Sequence, residues 1–540
     1  MDIIFRHSDR RTRTAAFSGG RLELPVAVSG EEGDLEIRFS VPILDVQGYW
    51  IPELSAPSGK LDWVVESVCA GQRSFPFMVF LDSDQCSRFA FGSTDLIDDT
   101  RITAKMNQER CAYDVAVTVA LTPESRNFAL ILDDRPVGWT AALADWRRDL
   151  RLPESAFPAA AWNPVFCTWY AVHAAVTQDW VEQSAIRAAA LGFGTLIVDD
   201  GWCFDDMKRV TPETTVQWYE NIGDWRMSAA KFPDFPAHRR RVRDLGLNYM
   251  LWVTPFLIGV KSGFYRKFRD ALYPERREGC QVLDCGNAAA AEAMFSMMRR
   301  VMTDYELDGL KIDFLDSIPP DVAHPRGRSA AKFIAALSAA VREVRPDALI
   351  EFRQHYATPG MLACATQFRA GDVPFDFMEN FRRLIQIRIS VGDRVPVHAD
   401  PAYWHPGESA ANIARHMIAA MAGVPMLSMD LLFLSETERR IIGFWLGFYR
   451  KHLTIFRGGH WEAGYFLTAP THLTVTANAG TIVFLTDPAR LDAVLSGISG
   501  PATVLNLSPR ELRLPGAATF GPAGEPGADG IIPSGGGGIR

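Results

Sequence analysis

Hydrophobic and polar residues alternate over residues 1 to about 140, in short segments that end at glycine, proline or aspartate. Such alternation is typical of half-buried strands, and turns at this spacing favour an antiparallel sandwich. The clearest segments are RLELPVAVSG, DLEIRFSVPI, FPFMVFL, RFAFGST, RITAKMN and CAYDVAVTVAL. The amphipathic segment WTAALADWRRDL then predicts a linking helix. We therefore predict an N-terminal β-sandwich with a linking helix over residues 1–150.

From about residue 160, apolar strand-like runs alternate with helical segments such as TQDWVEQSAIRAAALGF and SAAKFIAALSAAVREV. Strands separated by helices in this way predict a parallel (β/α)8 TIM barrel, which we place at residues 151–455. The sixth run has the weakest strand pattern. The eight runs are PVFCTWY (164–170), GTLIVDDGW (194–202), NYMLWVTP (248–255), GLKIDFLD (309–316), ALIEFRQ (348–354), QFRAGD (367–372), VPVHAD (395–400) and VPMLSMD (424–430).

Alternating β character returns after residue 456, which predicts a small C-terminal antiparallel β domain over residues 456–540. The segments are GYFLTAP, HLTVTANAG, TIVFLTD, PATVLNL and ELRLPG. The last 20 residues, GPAGEPGADGIIPSGGGGIR, are rich in glycine and proline, so we expect them to be poorly ordered. A chain of 540 residues is too long for one core, in agreement with three domains.

The charge and the cysteine content indicate which kinds of binding partner and which cellular compartment to expect. The net charge of -8 without a long basic run makes nucleic acid or an anionic membrane an unexpected partner. We find no apolar stretch of transmembrane length, and the first residues, MDIIFRHSDRRTRT, lack a signal-peptide pattern. The eight cysteines form no CxxC pair. We expect a cytoplasmic protein with free thiols, no metal and no organic cofactor, which could form a homo-oligomer.

The segment GLKIDFLD (309–316) places charge inside a strand-like run. Side chains alternate across a strand, so Leu310, Ile312 and Phe314 are expected on one side, and Lys311 and Asp313 on the other. A salt-bridged pair at a sheet rim would explain this charge, and so would a catalytic carboxylate at the mouth of a barrel. The segment alone leaves both explanations open.

Polar and aromatic residues gather at the ends of several predicted strands, where the active sites of such barrels lie. These residues are Asp199, Asp200, Trp202, Trp252, Lys311, Asp313, Asp316, Glu351, Arg353, Gln354, His355, Tyr356, Arg369, Asp372, His398 and Asp400. Carboxylates and cations can bind sugar hydroxyls, while indole rings can stack on sugar C–H faces. Each residue alone could be structural, but their common position at one rim favours a sugar site.

Cleavage of a glycosidic bond needs two carboxyl groups. Lys311 beside Asp313 is expected to lower the pKa of Asp313 and keep it ionised, as a nucleophile requires. Asp372 follows a glycine, and we expect its pKa to be raised for proton donation. If Asp372 is not the acid/base, Glu351 and Asp376 are the next candidates.

The motifs LIVDDGW, GDWRMSAAKFPDF and LKIDF occur in an order and spacing that resemble glycoside hydrolase family 36, the melibiase or α-galactosidase family of clan D. The three-domain layout resembles that family as well. The resemblance implies a retaining, exo-acting α-galactosidase-like hydrolase, with Asp313 as nucleophile and Asp372, in FRAGDVPFD, as acid/base. The substrate is then an oligosaccharide or glycoside with a terminal α-galactosyl group or a modified one.

The same resemblance implies how the glycone is bound. Asp199 and Asp200 would bind sugar hydroxyls, Lys311 would donate to the same ring, and Trp225 of GDW would line the pocket near the non-reducing end. Arg369 would contact the hydroxyl next to the anomeric carbon. The remaining predicted substrate-binding residues are Trp202, Trp252, Arg353 and His355.

One segment departs from the family pattern. After strand five, such enzymes carry a cysteine and a glycine-rich loop, whereas this chain reads EFRQHYATPG. The bulky residues from Arg353 to Tyr356 replace small ones, and the acid/base segment lacks the usual paired aspartates. The catalytic pair is therefore expected to be intact and the glycone pocket altered, and an arginine there could receive an acidic group.

Other functions remain open at this point. A transglycosidase or an α-N-acetylgalactosaminidase would share the nucleophile. A metal-dependent barrel hydrolase would use His355, His398, Asp313 and Asp400, although no HxH motif is present. A non-catalytic sugar-binding barrel would have no reason to keep both Asp313 and Asp372.

Overall fold

A computed structural model describes residues 1–53, 59–207, 217–277, 279–466 and 469–540 of the chain. The N-terminal region forms two six-stranded antiparallel sheets, as predicted. The first sheet comprises, in spatial order, Thr12–Ala16, Asp2–His7, Gly33–Pro42, Ala112–Leu121, Thr100–Asn107 and Val64–Cys69. The second comprises Arg21–Val26, Phe128–Asp133, Ser87–Ser93, Phe77–Leu81, Gly48–Trp50 and Gly59–Lys60.

The linking helix forms at Trp139–Asp149, as predicted. Its apolar side buries Trp139 and Trp146, and the Trp146 ring stacks on Phe75 at 5.3 Å between centroids. The helix thereby covers the second sheet of the sandwich on the side away from the first.

The central region is the predicted eight-stranded parallel barrel. The first strand pairs with the eighth, and an isolated bridge between His398 of the seventh strand and Val424, two residues before the eighth, nearly closes the ring. The strands are Val165–Cys167, Thr195–Val198, Asn248–Val253, Gly309–Ile312, Leu349–Arg353, Gln367–Arg369, Val397–His398 and Met426–Leu427. The eight predicted runs each contain one of them.

Amphipathic helices surround these strands. Most begin after a threonine, aspartate, asparagine or serine whose side chain accepts a hydrogen bond from the first turn, and this fixes where each helix starts. The long helices are Gln178–Leu191, Phe235–Asp244, Ala288–Asp304, Gly327–Val344, Phe377–Val391, Ala410–Ala420 and Glu436–Lys451, with shorter ones at Trp169–Val172, Gly263–Phe268 and Leu453–Gly458. A three-stranded sheet, Leu257–Gly259, Cys280–Leu283 and Leu272–Arg277, follows the third barrel strand.

The C-terminal sheet has the spatial order His460–Phe466, Ala469–Ala477, Gly480–Leu485, Ala502–Asn506, Gly537–Ile539 and Ala518–Phe520. It is mixed and not wholly antiparallel, because the helix Leu491–Ser496 crosses over before Ala502–Asn506 and lets that strand pair in parallel with Gly480–Leu485. A separate pair is formed by Leu512–Arg513 and Ile531–Ile532. The predicted segment GYFLTAP includes residues 467–468, which lie outside the described part of the chain.

The prediction that the last 20 residues are poorly ordered is wrong. Gly537–Ile539 is a strand inside the C-terminal sheet, and Ile532 is fully buried. The glycines allow close packing, since a Cβ at Gly537 would lie 2.3 Å from the Phe520 ring. Within the described residues, none of the helices has the length and apolar character needed to cross a bilayer.

Candidate active site

A small cavity of about 50 Å³ opens at the C-terminal ends of the barrel strands. It brings together residues from six of the eight predicted strand segments and a tyrosine from the loop that follows the second strand. The lining residues are Trp169, Asp199, Asp200, Tyr219, Trp252, Lys311, Asp313, Phe314, Arg353, Arg369 and Asp372. Carboxylates, cations and aromatic rings therefore share one small volume.

Lys311 and Asp313 both face this cavity, as the strand alternation predicted. The direct partner of Lys311 is not Asp313 but Asp199, whose Oδ2 accepts from Lys311 Nζ at 2.5 Å. Cys167 Sγ lies 3.1 Å from the same oxygen, and the backbone N–H of Asp200 donates to Oδ1 at 2.9 Å. Burial is the largest influence and lowers the pKa of Lys311, but Asp199, with smaller effects from Cys167 and Asp313, brings the pKa above its usual value, so the amine stays charged.

Asp313 is buried and accepts several hydrogen bonds. Its Oδ2 accepts from Trp252 Nε1 at 3.1 Å, and its Oδ1 accepts from the backbone N–H of Phe314 at 2.8 Å and from Arg353 Nη1 at 3.1 Å. Burial alone would raise the pKa of Asp313, but the nearby charges of Arg353, Lys311 and Arg369 lower it below its usual value. The carboxylate is thus ionised, and Arg353 contributes more to this than Lys311 does.

The alternation predicted that Phe314 lies on the same side as Leu310 and Ile312. This prediction is wrong, because Phe314 lines the cavity. The strand ends at Ile312, and the backbone at Phe314 has a φ of +56°, which turns the ring into the cavity wall. There it meets Tyr219 edge-on, at 5.9 Å between centroids. The period of two holds only while the strand continues.

Asp372 lies after the sixth strand, with its side chain 46% exposed toward the mouth of the cavity. Its Oδ1 accepts from Arg369 Nη2 at 3.0 Å, and its Oδ2 lies 3.7 Å from Arg353 Nη1. Because Arg353 Nη1 also touches Asp313, the two carboxyl groups are within about 7 Å of each other, a bound that includes the spacing of retaining glycosidases.

The predicted rise in the pKa of Asp372 is wrong for this state of the site. Burial acts to raise the pKa, but Arg353 and Arg369, with a smaller effect from Lys311, lower it well below its usual range. The sequence showed the two arginines but not that both guanidinium groups point at this carboxylate.

Asp400 lies buried behind Arg369 and was not among the predicted catalytic or binding residues. It pairs with Arg369 and accepts from the Tyr170 hydroxyl at 3.1 Å and from the backbone N–H of Val373 at 2.7 Å. Burial raises the pKa of Asp400 to about 7, with Arg369 acting against the rise. Asp400 thus orients Arg369 toward Asp372. Its position in VHAD, at the end of the seventh predicted strand, is the sequence feature that could have identified it as part of the site.

Three predicted binding residues are absent from the described lining of the cavity. Trp202 and Trp225 pack behind Trp252: the Trp202 Nε1 donates to the Trp252 carbonyl at 2.7 Å, and the Trp225 ring lies 5.8 Å from the Trp252 ring. Gly201, with φ +112°, turns the chain so that Trp202 enters the core. His355 is exposed, and its carbonyl accepts from Ser74 in the N-terminal domain.

The alternative acid/base residues are engaged elsewhere. Glu351 is buried below the cavity, with its Oε2 3.1 Å from His398 Nδ1, and Asp376 caps the helix Phe377–Val391. Across the described residues, no group of three or more His, Cys, Asp or Glu side chains is arranged to hold a metal ion. Trp169, Tyr219 and Phe314 were missed as lining residues, although Trp169 belongs to the predicted strand segment PVFCTWY.

Comparisons with known proteins find related sequences and a shared fold. A model of the melibiase family matches residues 145–336. The chain is similar to α-galactosidase AgaA of Geobacillus stearothermophilus (23% identical over 330 residues; 56% of this chain and 42% of the relative). It is also similar to the bifunctional α-galactosidase/sucrose kinase AgaSK of Mediterraneibacter gnavus (22% identical; 68% and 39%). The chain therefore spans about two fifths of these relatives' length.

Solved structures share the fold, among them those of two α-galactosidases. The crystal structure of a substituted variant of AgaA from Geobacillus stearothermophilus, in complex with raffinose, has a TM-score of 0.64 at 17% identity, covering 87% of this chain and 71% of that one. The Thermus thermophilus α-galactosidase TtGalA, in complex with p-nitrophenyl α-D-galactopyranoside, has a TM-score of 0.59 at 17% identity, covering 88% and 95%.

Proposed function

We propose that this chain, which belongs to the melibiase family of glycoside hydrolases (family 36), is a retaining, exo-acting α-glycosidase that removes terminal α-galactosyl groups or a modified form of them. One observation carries the proposal. Asp313 and Asp372 face the same small cavity, and Arg353 joins them. Two carboxyl groups at close spacing are what a retaining glycosidase needs.

The first step would be attack by an Asp313 carboxylate oxygen on the anomeric carbon. The bond to the glycosidic oxygen breaks, and Asp372 gives its proton to that oxygen. In the second step Asp372 takes a proton from water, the water oxygen attacks the anomeric carbon, and the ester bond to Asp313 breaks. The low pKa of Asp313 suits the nucleophile, whereas Asp372 must gain a proton before the first step.

Glycone binding would use the inner part of the cavity. The Asp199–Lys311 pair and Asp200 offer acceptors and donors to sugar hydroxyls, and the Trp252 ring offers a flat apolar surface. The complexes of the AgaA variant with raffinose and of TtGalA with a nitrophenyl galactoside support galactose as the glycone. Arg353 adds a positive charge beside both carboxyl groups that could receive an acidic group, which supports a modified galactoside as an alternative.

Transglycosylation and α-N-acetylgalactosaminidase activity remain alternatives within the same chemistry. Both would use Asp313 as nucleophile and would differ in the acceptor or in the space beside the 2-position of the sugar. A cytoplasmic location and a homo-oligomer also remain hypotheses.

The experiment is a screen of aryl α-glycosides of galactose, fucose, arabinose and acetamido sugars, followed by NMR of the first sugar released. We expect the α-galactoside to be hydrolysed fastest and α-galactose to form before the β-anomer. First formation of the β-anomer would rule out a retaining mechanism. Failure to cleave any α-glycoside would favour a non-catalytic sugar-binding protein.

A further inference from the structure

Three aromatic side chains pack in a row next to a residue of the cavity wall. Trp169 lines the cavity, and Tyr170 follows it in the chain. The Tyr170 ring lies 6.3 Å from the Tyr403 ring, which lies 5.1 Å from the Phe375 ring. We call these four residues the aromatic ledge. Trp169, Tyr170 and Tyr403 are half-buried, whereas Phe375 is 64% exposed.

Polar contacts hold the ledge in place. The Tyr170 hydroxyl donates to Asp400 at 3.1 Å, and the backbone N–H of Val373 donates to the same carboxylate at 2.7 Å. The backbone N–H of Tyr403 donates to the Pro374 carbonyl at 3.2 Å. The segment that carries Phe375 is thus tied to the neighbouring loop, and the exposed ring has a fixed base. A single exposed phenylalanine would need no explanation, but this one packs on Tyr403 and through it on Tyr170, the chain neighbour of Trp169 in the cavity wall.

The position of Asp372 indicates what this surface binds. A general acid lies beside the glycosidic oxygen, so the leaving group extends beyond it, away from the glycone. Phe375 follows Asp372 by three residues, and Tyr170 of the ledge bonds to Asp400, which pairs with Arg369, the residue that donates to Asp372, so the ledge adjoins the acid/base. We propose that the aromatic ledge is an aglycone subsite that stacks on a ring with an apolar face, either an aryl group or the C–H face of a second pyranose. This inference rests on the proposed function, because it takes Asp372 as the acid/base.

The size of the effect follows from the contact. Stacking of a ring on an aromatic side chain changes affinity by about three- to tenfold. A substrate whose leaving group has no ring cannot gain this factor. α-Galactosyl fluoride, which releases only fluoride, is therefore the reference substrate, and 4-nitrophenyl α-galactoside and a galactosyl-pyranose disaccharide are the ring-bearing ones.

The experiment compares wild type, Phe375→Ala, Phe375→Tyr and a control, Trp63→Ala, which removes a 57% exposed aromatic ring from the N-terminal domain. For each ring-bearing substrate we measure kcat/KM relative to the fluoride. This ratio should fall about three- to tenfold in Phe375→Ala, mainly through KM, recover in Phe375→Tyr and stay constant in Trp63→Ala. A fall with only one substrate identifies the kind of ring that the ledge binds.

Two results would overturn the inference alone: an unchanged ratio for both ring-bearing substrates, or a change of oligomeric state in Phe375→Ala by light scattering, which would make the ledge a contact between copies of the chain. A wild-type protein that is inactive even on the fluoride would overturn the proposed function as well.

Discussion

Arg353 controls the charge state of both catalytic carboxyl groups, so replacing it by glutamine should move the pH profile. Two unit charges 3.7 Å apart, the distance from Arg353 Nη1 to Asp372 Oδ2, interact by about 4.5 kcal/mol at an effective dielectric constant of about 20. Because the Asp372 side chain is 46% exposed, solvent screening reduces this to about 1–2 kcal/mol, or roughly one pH unit.

The direction follows from the two roles. Asp372 must be protonated for the first step, and the cation of Arg353 keeps its pKa low, so the basic limb of kcat/KM lies at acidic pH in the wild type. Asp313 must be ionised, and its pKa is lowered by the same cation. Loss of the cation raises both pKa values, so both limbs of the profile should move upward: by about one pH unit for Asp372, and by at least as much for Asp313, which is buried and lies closer to the guanidinium.

The assay is kcat/KM against pH on a substrate with a poor leaving group, such as melibiose or methyl α-galactoside, since nitrophenol hardly needs protonation. Arg353→Lys is the matched control, because it keeps the positive charge and should keep both limbs near their wild-type positions. An Arg353→Gln profile that coincides with the wild type would refute the assigned roles or the influence of the guanidinium on them.

Three further results are expected. Asp313→Ala should lose several orders of magnitude of activity on every substrate. Asp372→Ala should still carry out the first step on nitrophenyl galactoside, and azide should restore its turnover and give α-galactosyl azide, with retained configuration. An azide product of inverted configuration would exclude Asp372 as the acid/base. Trp252→Phe removes the donor to Asp313 but keeps a ring, so kcat/KM should fall about ten- to a hundredfold, while the smaller buried ring should lower the free energy of unfolding in urea by only about 1–2 kcal/mol. Equal activity would show that this hydrogen bond is dispensable. Ile532→Ala, at a fully buried site, should lower the free energy of unfolding by about 2–4 kcal/mol, and the 48% exposed Ile539→Ala should change it little; equal losses would contradict the burial argument.

The barrel could be predicted from the sequence, because its eight strands are buried on both sides and therefore appear as apolar runs between amphipathic helices. The position of Lys311 and Asp313 on the same side of their strand could also be predicted, because it depends only on the alternation of side chains along a strand. The carboxylates and cations of the cavity could be predicted for a related reason. They lie at the ends of strands that all finish at the same rim of the barrel.

The pairing of the charges could not be read in this way. Whether Lys311 bonds Asp199 or Asp313 depends on which neighbouring strand end its amine reaches, and this is a tertiary distance. The same holds for Arg353, whose guanidinium crosses between two strand ends. Trp202 and Phe314 were misplaced because left-handed backbone at Gly201 and Phe314 turns the chain, and local periodicity ends at such residues. The order of the last 20 residues was predicted wrongly, because their glycines allow close packing of the chain instead of making it flexible.

The strand Gly537–Ile539 has a consequence for how the protein is made. It lies between Ala502–Asn506 and Ala518–Phe520, which are both synthesised before it. Until it emerges from the ribosome, those two strands face an empty slot, each with a row of unused peptide N–H and C=O groups. Open strand edges of this kind pair readily with foreign chains. The nascent protein is thus prone to aggregate until residues 537–539 have left the ribosome, and a nick that releases these residues would reopen the same slot in the folded molecule.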